Sequence, residues 1–447
     1  MRTEKEFTIS VVGLGYVGLC TAVTFAFRGF KTFGFDIDNR RIEGITKGQP
    51  PFYEPQLKTM TRSALKSNML EVTNDVSQLV AANVSFLTVG TPSKANGSID
   101  LNHVLMATQA LGRVLRKKQG YHLVAVKSTI VPGTTTAFVR PCLELSSGKK
   151  VGSGLGLCAN PEFLKEGTAI KDALHPDKIV IGGIDKRSAF FLNKLYARLH
   201  RGNVPPIVVT SPETAELIKY ASNAFLATKI SFINTIANIA QHIRDTDVNE
   251  VARALGYDPR IGPLFLKAGP GYGGSCFHKD LQALLTYSKR NGYDPNLLSA
   301  VEEVNDTQAD KVVELSIRLL GDLKGKRIAV LGLAFKKNTD DIREAASLRI
   351  IDRLRRRGAS IVACDPKVSQ PMSVFGKTVQ VVQDVSTALK GADCAITVTE
   401  WDQFGKLKAS DYLGLMRTPN LVDARRVYNP SKFVKLNFAA IGLGSVG

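Results

Sequence analysis

The first 36 residues contain the feature that most restricts what this chain can fold into. Residues 7–12 form a short apolar, β-branched run that predicts a buried strand. The motif Gly13-Leu-Gly-Tyr-Val-Gly18 follows directly, then a helical pattern over 19–27, and then a second strand-like run, 31–35, that ends in Asp36. A strand, three spaced glycines, a helix, a strand and an acid in this order predict the opening unit of a doubly wound α/β sheet.

The same residues predict a dinucleotide site. Gly13 turns the chain, Gly15 lets a pyrophosphate approach the backbone, and Gly18 lets the helix pack on the strand. The N-terminus of the helix attracts the phosphates. Asp36 is spaced to bond a ribose 2′-hydroxyl, and its charge repels a 2′-phosphate. NAD is therefore expected rather than NADP, although the arginines at 40–41 oppose that preference.

Strand-like and helical runs alternate after this unit, which predicts a parallel sheet. The strand-like runs are residues 84–89, 123–126, 155–158 and 179–181. Two of them end in polar turns, one containing Thr91 and the other Thr129. Ligands bind at the carboxyl ends of strands in such sheets, so both threonines are candidate cofactor contacts. Ordinary turn chemistry is the alternative.

A long helical pattern occupies the middle of the chain, from Ser211 to about Asp245. Ser211 can cap this helix, and Pro212 fits its first position. The apolar residues face several directions, which is typical of a helix buried at a domain junction or in a dimer core. Lys219 and Asn223 lie four residues apart and share one face, so they belong either to a surface stripe or to a site.

Features of the first unit recur towards the C-terminus. Residues 327–335 repeat the strand and turn, and residues 361–365 repeat the strand that ends in an acid. A second Rossmann-like domain is therefore predicted. Its turn lacks the second and third glycines, so it is not expected to hold a dinucleotide in the same way. Residues 442–447 match the glycine pattern too, but no helix follows them, and they are interpreted as a solvated tail.

The predicted fold class is α/β, with two Rossmann-like doubly wound parallel-sheet domains joined by a long central helix and a helical dimerisation region. The expected boundaries are 1–210 for the N-terminal domain, 211–310 for the central helical domain and 311–447 for the C-terminal domain. A chain of 447 residues is too long for one core and fits two or three domains.

The stretch Gly269-Pro-Gly-Tyr-Gly-Gly-Ser-Cys-Phe-His-Lys-Asp280 combines four glycines with a cysteine and two opposite charges. Ser275 can cap a following helix, which places Cys276 in its first turn and Asp280 one turn on. A helix N-terminus and Lys279 both favour a thiolate, so a lowered pKa and a nucleophilic Cys276 are predicted. A small, inert structural cysteine is the alternative.

Composition argues against several classes of protein. The six cysteines include no Cys-x-x-Cys pair and the six histidines show no ligand spacing, so neither a disulfide framework nor a metal site is expected. No apolar run approaches a membrane span and the N-terminus carries acidic residues where a signal peptide would be basic, so a cytoplasmic protein without membrane contact is expected. The net charge of +19 is spread along the chain. It fits steering of a small polyanionic substrate, or a basic host proteome, better than nucleic-acid binding.

Taken together, these motifs resemble the nucleotide-sugar 6-dehydrogenase family over nearly the whole chain. In the order of the family they are residues 12–19, 90–92, 127–129, 160–166, 219–223, 260–262, 265–277 with 279–280, and 332–336 with 343–344. The resemblance implies a four-electron oxidation of a sugar's terminal hydroxymethyl group to a carboxylate, with two NAD consumed and UDP-glucose as substrate. GDP-mannose or an N-acetylated UDP-hexose is the alternative substrate, although Ser275 argues against the N-acetyl-mannosamine branch.

The resemblance also implies roles for individual residues. Cys276 adds to the aldehyde left by the first oxidation, and the second oxidation leaves a thioester that water opens. Lys219, helped by Asn223, stabilises the oxyanion. Asp280 assists through a bound water, and Glu162 serves the hydrolytic water. The expected catalytic residues are Cys276, Lys219, Asp280, Asn223, Glu162 and Thr129, the last of which positions water near the reacting carbon.

Two sets of binding contacts follow from the resemblance. The expected cofactor contacts are Gly13, Gly15, Tyr16, Val17, Gly18, Asp36, Arg41, Thr91, Thr129, Glu166, Lys279 and Arg343. The expected UDP-sugar contacts are Glu162, Phe163, Leu164, Lys165, Lys219, Asn223, Arg260, Phe265, Lys267, Gly273, Lys336 and Arg426, with Arg425 as the alternative to the last. Arg260 is expected to reach the substrate of a neighbouring subunit, which requires a homodimer or a larger dimer-based oligomer. His278 stands where many relatives have proline or another residue, and it is either a pH-sensitive group or a plain surface histidine.

Overall fold

A computed structural model describes residues 7–369, 372–375 and 378–444 of the chain. The chain divides into two compact units, Met1–Ser222 and Asn223–Gly447. Each unit contains its own sheet. Numbered along the chain within each unit, the first six strands lie across the sheet in the order 3-2-1-4-5-6, which is the order of a Rossmann fold. The predicted fold class, with two Rossmann-like domains, is confirmed.

The first unit contains a sheet of eight strands. They are β1 (Ile9–Val12), β2 (Thr32–Phe35), β3 (Leu70–Thr73), β4 (Val84–Leu87), β5 (His122–Val126), β6 (Leu155–Ala159), β7 (Ile179–Gly183) and β8 (Ile207–Thr210). Their order across the sheet is β3-β2-β1-β4-β5-β6-β7-β8. Val12 lies opposite both Phe35 and Leu87. The turns after these strands therefore meet at one edge of the sheet, where ligands bind in such folds.

Helices and two apolar cores cover this sheet. The helices are α1 (Tyr16–Phe27), α2 (Asn39–Thr46), α3 (Leu57–Lys66), α4 (Asn102–Leu115), α5 (Arg140–Ser147), α6 (Ala169–Leu174) and α7 (Lys186–Leu199). Ile9 and Val11 belong to one core and Val12 to another. Because alternate strand residues point to opposite faces, the sheet is buried on both sides. That burial explains why its central strands read as mostly apolar runs in the sequence.

The last two strands of the first sheet depart from the predicted parallel arrangement. β7 pairs antiparallel with β6, with Ala159 opposite Gly182, and β8 pairs parallel with β7, so both run opposite to the other six strands. The segment 160–178 includes only the six-residue helix α6 and does not carry the chain back across the sheet. As a result, residues 160–166 stay at the carboxyl edge of the sheet, beside the turns that follow β4 and β5.

Helix α8 (Pro212–Ala240) continues from the first unit into the second. The Thr214 N–H donates to the Ser211 hydroxyl at 3.2 Å, as expected for the predicted cap. The helix ends at Ala240, five residues before the predicted end at about Asp245.

An apolar stripe is exposed along helix α8. The side chains of Phe225, Phe232 and Ile239 recur every seven residues and are 66%, 51% and 52% exposed. Residues seven apart lie on one face of a helix, so these three exposed side chains lie along one face, called the α8 stripe below. The prediction that this helix is apolar on several sides therefore describes its surface as well as its buried face.

The second unit contains a six-stranded, all-parallel sheet. Its strands are β9 (Arg327–Leu331), β10 (Ser360–Cys364), β11 (Gln380–Val382), β12 (Cys394–Thr397), β13 (Asn420–Asp423) and β14 (Asn437–Ala440). Their order across the sheet is β11-β10-β9-β12-β13-β14. The further helices are α9 (Val248–Tyr257), α10 (Phe277–Arg290), α11 (Asn296–Leu320), α12 (Ala346–Arg356), α13 (Met372–Phe375), α14 (Val385–Leu389), α15 (Asp402–Gly405) and α16 (Ala409–Leu415).

The end of the chain packs on the second unit. Gly442 and Gly444 are buried, and the Gly444 N–H donates to the Thr246 carbonyl at 2.8 Å. The interpretation of this segment as a solvated tail is therefore wrong for residues 442–444, while 445–447 lie outside the described residues. Within the described ranges, none of the helices combines the length and the apolar character that crossing a lipid bilayer requires.

Candidate functional site

The three glycines of the first turn have three different environments. Gly13 has a φ of +96°, and a Cβ there would lie 2.8 Å from Val89 Cγ1. A Cβ on Gly18 would lie 1.8 Å from the Gly13 carbonyl oxygen. A Cβ on Gly15 would have nothing within 4 Å. The predicted roles of turning, close helix packing and open approach for a pyrophosphate therefore fit the observed geometry.

Asp36 closes this turn from the end of β2. It is 4% exposed, and its Oδ2 accepts the Leu14 N–H at 2.7 Å. Its Oδ1 accepts the Asp38 N–H at 3.0 Å. The partly exposed guanidinium of Arg41 also donates to Asp36 Oδ2 at 2.7 Å. Arg41 therefore offsets part of the negative charge on which the preference for NAD depends.

Neighbouring turns of the first unit are tied to one another by hydroxyl groups. Thr88 Oγ1 donates to the Gly13 carbonyl at 2.7 Å, and Thr91 Oγ1 donates to the Thr129 carbonyl at 2.8 Å. Ser128 Oγ donates to the Val89 carbonyl at 2.7 Å. The turns containing Thr91 and Thr129 are thus brought together as predicted, with Thr91 buried and its hydroxyl used within the protein.

A buried ion pair joins Glu162 to helix α8. Lys219 Nζ donates to Glu162 Oε1 at 2.8 Å, and both side chains are less than a tenth exposed. The Leu164 N–H donates to Glu162 Oε2 at 2.6 Å. Burial works to raise the pKa of Glu162, but Lys219, the Leu164 N–H and Lys127 outweigh it and hold the pKa below its ordinary value. The Phe163 ring lies 5.5 Å from Lys219 Nζ, in cation–π range.

Lys127 opens the family motif at residues 127–129, but the resemblance assigned it no role. Its Nζ lies 3.4 Å from Asn160 Oδ1 and 3.3 Å from the Tyr196 hydroxyl. Burial lowers its pKa to about 8, partly opposed by the charge of Glu162 and aided by that of Lys219. Its position at the carboxyl end of β5, directly before the turn with Thr129, is the sequence signal that marks it as part of the site.

Glu216 is a second residue that the sequence reasoning missed. It lies on α8 less than one turn before Lys219, is 3% exposed, and accepts the Gly133 and Thr135 N–H groups at 2.6 and 2.8 Å. Burial raises its pKa to about 7. Through these bonds Glu216 holds the segment that follows Thr129. The sequence gives little signal for it, since Glu216 lies among other polar residues of the helix, between Glu213 and Lys219.

Glu54, also missed, links the first turn to the segment 160–167. It is buried and accepts a short hydrogen bond from the Tyr16 hydroxyl. It also accepts the Gly167 N–H at 2.7 Å and the Ala169 N–H at 2.9 Å. Burial, then the hydrogen bond to Glu54, raises the pKa of Tyr16. The hydroxyl of this predicted cofactor contact is therefore already bonded within the protein.

In the second unit, Cys276 lies at the start of helix α10. Of the cysteines in the described residues, Cys276 is exposed, Cys142 is half-buried and the remaining four are buried. The helix begins at Phe277, one residue later than predicted, so Cys276 is its N-cap residue and Ser275 precedes it. The Cys276 carbonyl accepts the Asp280 N–H at 2.9 Å. The thiol is thus placed at a helix N-terminus, where a thiolate is favoured.

Asp280 is the buried centre of a polar cluster beside this cysteine. It is 1% exposed; Asn223 Nδ2 donates to its Oδ2 at 2.6 Å, and Lys279 Nζ donates to its Oδ1 at 2.7 Å. Asn223 is on α8, four residues after Lys219. Three of the predicted site residues are therefore brought together around one carboxylate.

Glycines of the loop before Cys276 serve close packing of the chain. A Cβ on Gly271 would lie 2.6 Å from Asn305 Oδ1, and one on Gly273 would lie 2.4 Å from the Glu344 carbonyl oxygen. A Cβ on Gly274 would lie 2.9 Å from the Phe335 ring. The close packing of this loop is therefore sufficient to explain these three glycines, without a ligand that approaches the backbone.

The other predicted contacts lie at the surfaces of their own units or are partly covered. Arg260 is 87% exposed and paired with Asp258 at 2.6 Å, and Arg343 is 62% exposed and paired with Asp341 at 2.6 Å. Two further predicted contacts are also exposed, Lys165 and Lys267. Four are half-buried, namely Val17, Glu166, Phe265 and Lys336.

Arg425 and Arg426 differ in what they contact. Arg426 is 3% exposed, and its guanidinium is paired with Asp247 at 2.7 Å and with a backbone carbonyl. Arg425 is 21% exposed and donates to the Phe335 and Val398 carbonyls, at the turn after β9. The geometry favours Arg425 over the predicted Arg426 as the arginine that meets a ligand.

Three models of one family match successive parts of the chain. They are described as the NAD binding domain, the central domain and the UDP binding domain of the UDP-glucose/GDP-mannose dehydrogenase family, and they match residues 7–200, 213–307 and 329–430. Because the first match covers the turn whose glycine geometry fits a dinucleotide, NAD is the cofactor of this chain.

Individual relatives agree over the full length. The chain is 42% identical over 420 residues to the UDP-glucose 6-dehydrogenase AglM of Haloferax volcanii, covering 94% of this chain and 96% of the relative. It is similar to the structure of a UDP-glucose dehydrogenase from Pyrobaculum islandicum, with 36% identity, a TM-score of 0.90 and 99% of each chain covered. A UDP-D-ManNAc dehydrogenase structure from Pyrococcus horikoshii gives 27% identity and a TM-score of 0.86, covering 98% of this chain and 99% of that one. The chain therefore belongs to the UDP-glucose/GDP-mannose dehydrogenase family of NAD-dependent oxidoreductases.

Proposed function

We propose that this chain oxidises the C6 hydroxymethyl group of UDP-glucose to the carboxylate of UDP-glucuronate, through a thioester on Cys276. The observation that carries the proposal is an exposed thiol at a helix N-terminus, within one turn of the buried Asp280 cluster. A two-electron dehydrogenase needs no thiol. A four-electron one does, because the adduct holds the aldehyde and restores a carbon that can again lose a hydride. The relatives named as UDP-glucose dehydrogenases support UDP-glucose as the sugar nucleotide.

In the first oxidation, the protein manages the proton of the C6 hydroxyl. NAD, when bound, accepts one hydride in each of the two oxidations. Asp280 takes the hydroxyl proton through a water, and Asn223 holds the carboxylate in place by its 2.6 Å hydrogen bond. The Lys219 ammonium stabilises the oxygen as it gains negative charge, and Thr129 positions water near the reacting carbon.

In the second oxidation, the carbon is held by Cys276. The thiolate adds to the aldehyde carbon, a C–S bond forms, and the oxyanion gains a proton, so a thiohemiacetal results. Loss of its hydride and its hydroxyl proton leaves a thioester. Water then adds to the carbonyl carbon and the C–S bond breaks, which releases the carboxylate and the thiol, because the departing sulfur takes one proton of the water. Glu162 receives the other proton; its lowered pKa keeps it ionised for this task.

Substrate contacts and a dimer complete the proposal. We assign the UDP-sugar contacts to the segment 162–166 and to Arg260, Phe265, Lys267, Gly273 and Lys336, with Arg425 in place of Arg426. The α8 stripe supports a homodimer, since large apolar side chains exposed along one face of a long helix are typical of a surface that a second subunit covers. Arg260, 87% exposed, then extends to the partner's substrate. A cytoplasmic location is consistent with six cysteines of which none forms a disulfide within the described residues.

The test is the number of NADH formed per limiting UDP-glucose, for the native protein and for Cys276→Ser. Two NADH per sugar are expected, with steady turnover abolished in Cys276→Ser and retained in the matched control Cys142→Ser. One NADH per sugar, or a Cys276→Ser variant as fast as the native protein, would contradict the thioester route. Turnover on GDP-mannose or an N-acetylated UDP-hexose, but not on UDP-glucose, would preserve the chemistry and reassign the substrate.

A further inference from the structure

Glu302 of helix α11 joins the chain segments on both sides of Cys276. Glu302 is 5% exposed, and its Oε1 accepts the Tyr272 hydroxyl at 2.5 Å. Its Oε2 lies 2.6 Å from His278 Nδ1 and accepts the Gln282 amide at 3.0 Å. Tyr272 precedes the cysteine by four residues, and His278 follows it by two. We call Tyr272, His278 and Glu302 the Glu302 clamp.

The approach to the cysteine is also held through its backbone. Asn305, nearly one turn after Glu302 on α11, accepts the Tyr272 N–H at 2.7 Å and donates to the Tyr272 carbonyl at 3.3 Å. Arg349 of helix α12 donates to the same carbonyl at 3.3 Å. The loop before the cysteine is therefore anchored to α11 by backbone contacts that do not titrate. On the other side of the cysteine, the start of α10 is linked to α11 through His278, which does titrate.

Acidic groups dominate the surroundings of His278. Facing it or lying close by are Glu302 and Asp306 from α11, Glu344 from the segment before α12, Tyr272 from the loop, Lys279 and Asp280 from its own helix, and Arg349, which pairs with Asp306. The hydrogen bond to Glu302 raises the pKa of His278 above its ordinary 6.5, opposed by burial and supported by the nearby acids. Burial opposes ionisation of Glu302, but its bonds to His278, Tyr272 and Gln282 lower its pKa. The pair is therefore charged between the lowered pKa of Glu302 and the raised pKa of His278.

We propose that His278 and Glu302 are positioning residues for Cys276, and that their clamp loosens when His278 loses its proton. The geometry carries this assignment, because one buried carboxylate holds the start of the helix that presents the thiol, Lys279 and Asp280. The role for turnover rests on the proposed function; the mechanical role of the clamp does not.

The sign of the pH effect follows from the protonation of His278. A histidine whose pKa is raised by folding contributes stability that is complete below pH 6.5 and is lost as the pH rises through its folded value. The clamp therefore holds best on the acidic side, whereas thiolate formation at Cys276 is favoured on the basic side. These opposing trends predict a pH optimum for turnover rather than a plateau.

Three variants separate the parts of the clamp. His278→Phe removes donor and charge, His278→Gln keeps an N–H donor without a titrating charge, and Glu302→Gln removes the carboxylate. His242→Gln is the matched control, since His242 is an exposed histidine of the same unit. Two quantities are measured from pH 6 to 9: kcat with KM for UDP-glucose, and hydrogen exchange of the amides of 272–282 in the protein without substrate, corrected for intrinsic exchange rates.

We expect His278→Phe and Glu302→Gln to lower kcat about tenfold without raising KM, because a small displacement of a reacting group costs rate rather than binding. Exchange of 272–282 should accelerate in both, while exchange in the sheet of the second unit stays native. His278→Gln should retain most of the activity at neutral pH and flatten the basic side of the pH profile, where the native clamp loosens. The control should be native throughout.

Native exchange and native kcat at every pH in His278→Phe or in Glu302→Gln would overturn the clamp. Faster exchange over the whole second unit would overturn it too, because these residues would then serve folding alone. His278→Gln, which keeps a hydrogen-bond donor, is the variant that separates a local change in the clamp from such a general loss of stability. If the native protein forms no NADH from any nucleotide sugar, the proposed function fails, and the exchange data still decide the clamp by themselves.

Discussion

The turn after β1 and the turn after β9 share one backbone frame. Both begin with a glycine in the left-handed region, Gly13 with a φ of +96° and Gly332 with a φ of +107°. In both, the residue after that glycine donates its N–H to the aspartate at the end of the next strand, Asp36 or Asp365, at 2.7 and 2.8 Å. The same local geometry has thus been built twice in one chain.

The two turns differ in what fills them. Beside Gly15 of the first turn there is open space, whereas Ala334 at the equivalent position is 1% exposed and donates its N–H to Asp365 at 3.0 Å. The Ala334 carbonyl accepts the Thr399 hydroxyl at 2.6 Å, and the Trp401 indole donates to Asp365 at 3.1 Å. Protein groups occupy the frame that a dinucleotide uses in the first unit. A Rossmann frame does not by itself make a dinucleotide site.

The largest effect expected from this comparison is at Asp365. Its two oxygens accept five N–H groups and it is 0% exposed. Asp365→Asn would place an NH2 group where N–H donors already point, and it should lower the free energy of unfolding by about 4 kcal/mol. Asp36→Asn should cost about 2 kcal/mol and weaken NAD binding about tenfold. Denaturant unfolding and NAD titration measure both. Equal stability losses, or weakened NAD binding in Asp365→Asn alone, would contradict the difference between the turns.

Two alanine substitutions within the first turn separate packing from ligand approach. Gly18→Ala places a Cβ 1.8 Å from a backbone oxygen and should destabilise the protein by roughly 3 kcal/mol. Gly15→Ala meets no protein atom within 4 Å, so its melting temperature should stay within a few degrees of native while NAD binding weakens at least about tenfold. Calorimetry and NAD titration distinguish them. If Gly15→Ala binds NAD with native affinity, the open space beside it is not the pyrophosphate site.

The pH dependence of stability sharpens the picture of the first unit. Folding raises the pKa of Glu216 from 4.5 to about 7, so the folded state binds a proton more tightly than the unfolded state. This stabilisation is present at pH 5 and should fall by about 2 kcal/mol by pH 7. Glu216→Gln should remove that slope in urea unfolding series at several pH values. The exposed Glu250 provides a control: Glu250→Gln should retain the slope, and a slope that survives in Glu216→Gln would contradict the assignment.

The smallest effect is expected from making the second turn more like the first. Ala334→Gly restores the glycine spacing at this position but leaves Thr399, Trp401 and Asp365 in place. Unfolding free energy should fall by about 1 kcal/mol, from backbone entropy and a lost methyl group. The stoichiometry of NAD binding should stay at one per chain in equilibrium titration. A second NAD bound per chain would show that the glycine, and not the filling of the turn, excludes it.

Much of the fold was predictable because its signals are local. The order of strand, glycines, helix and acid lies within 30 residues of Phe7, and β4, β5 and β6 are mostly apolar because both faces of their sheet are buried. Edge strands were missed. β8 is largely exposed, and β11 has three residues, so neither shows the apolar pattern by which the central strands are recognised.

The site was only partly predictable, since its supporting residues come from distant parts of the sequence. Cys276 and Asp280 were found because their spacing on one helix places them a turn apart. Glu216 binds a loop that lies 81 to 83 residues earlier in the chain. Glu302 reaches residues 20 to 30 positions away. No periodicity relates such partners, and only the packing of helix on loop brings them together.

The sequence by itself determined the two Rossmann frames and the family, and it marked Cys276 as the candidate nucleophile, because glycine spacing and strand patterns act over a few residues. The tertiary structure decided the rest. It closed the second turn with Thr399 and Trp401, turned β7 and β8 antiparallel to the other strands, and paired Arg426 with Asp247. These outcomes depend on which groups are excluded from water together, and burial of polar partners is a property of the folded chain rather than of any segment.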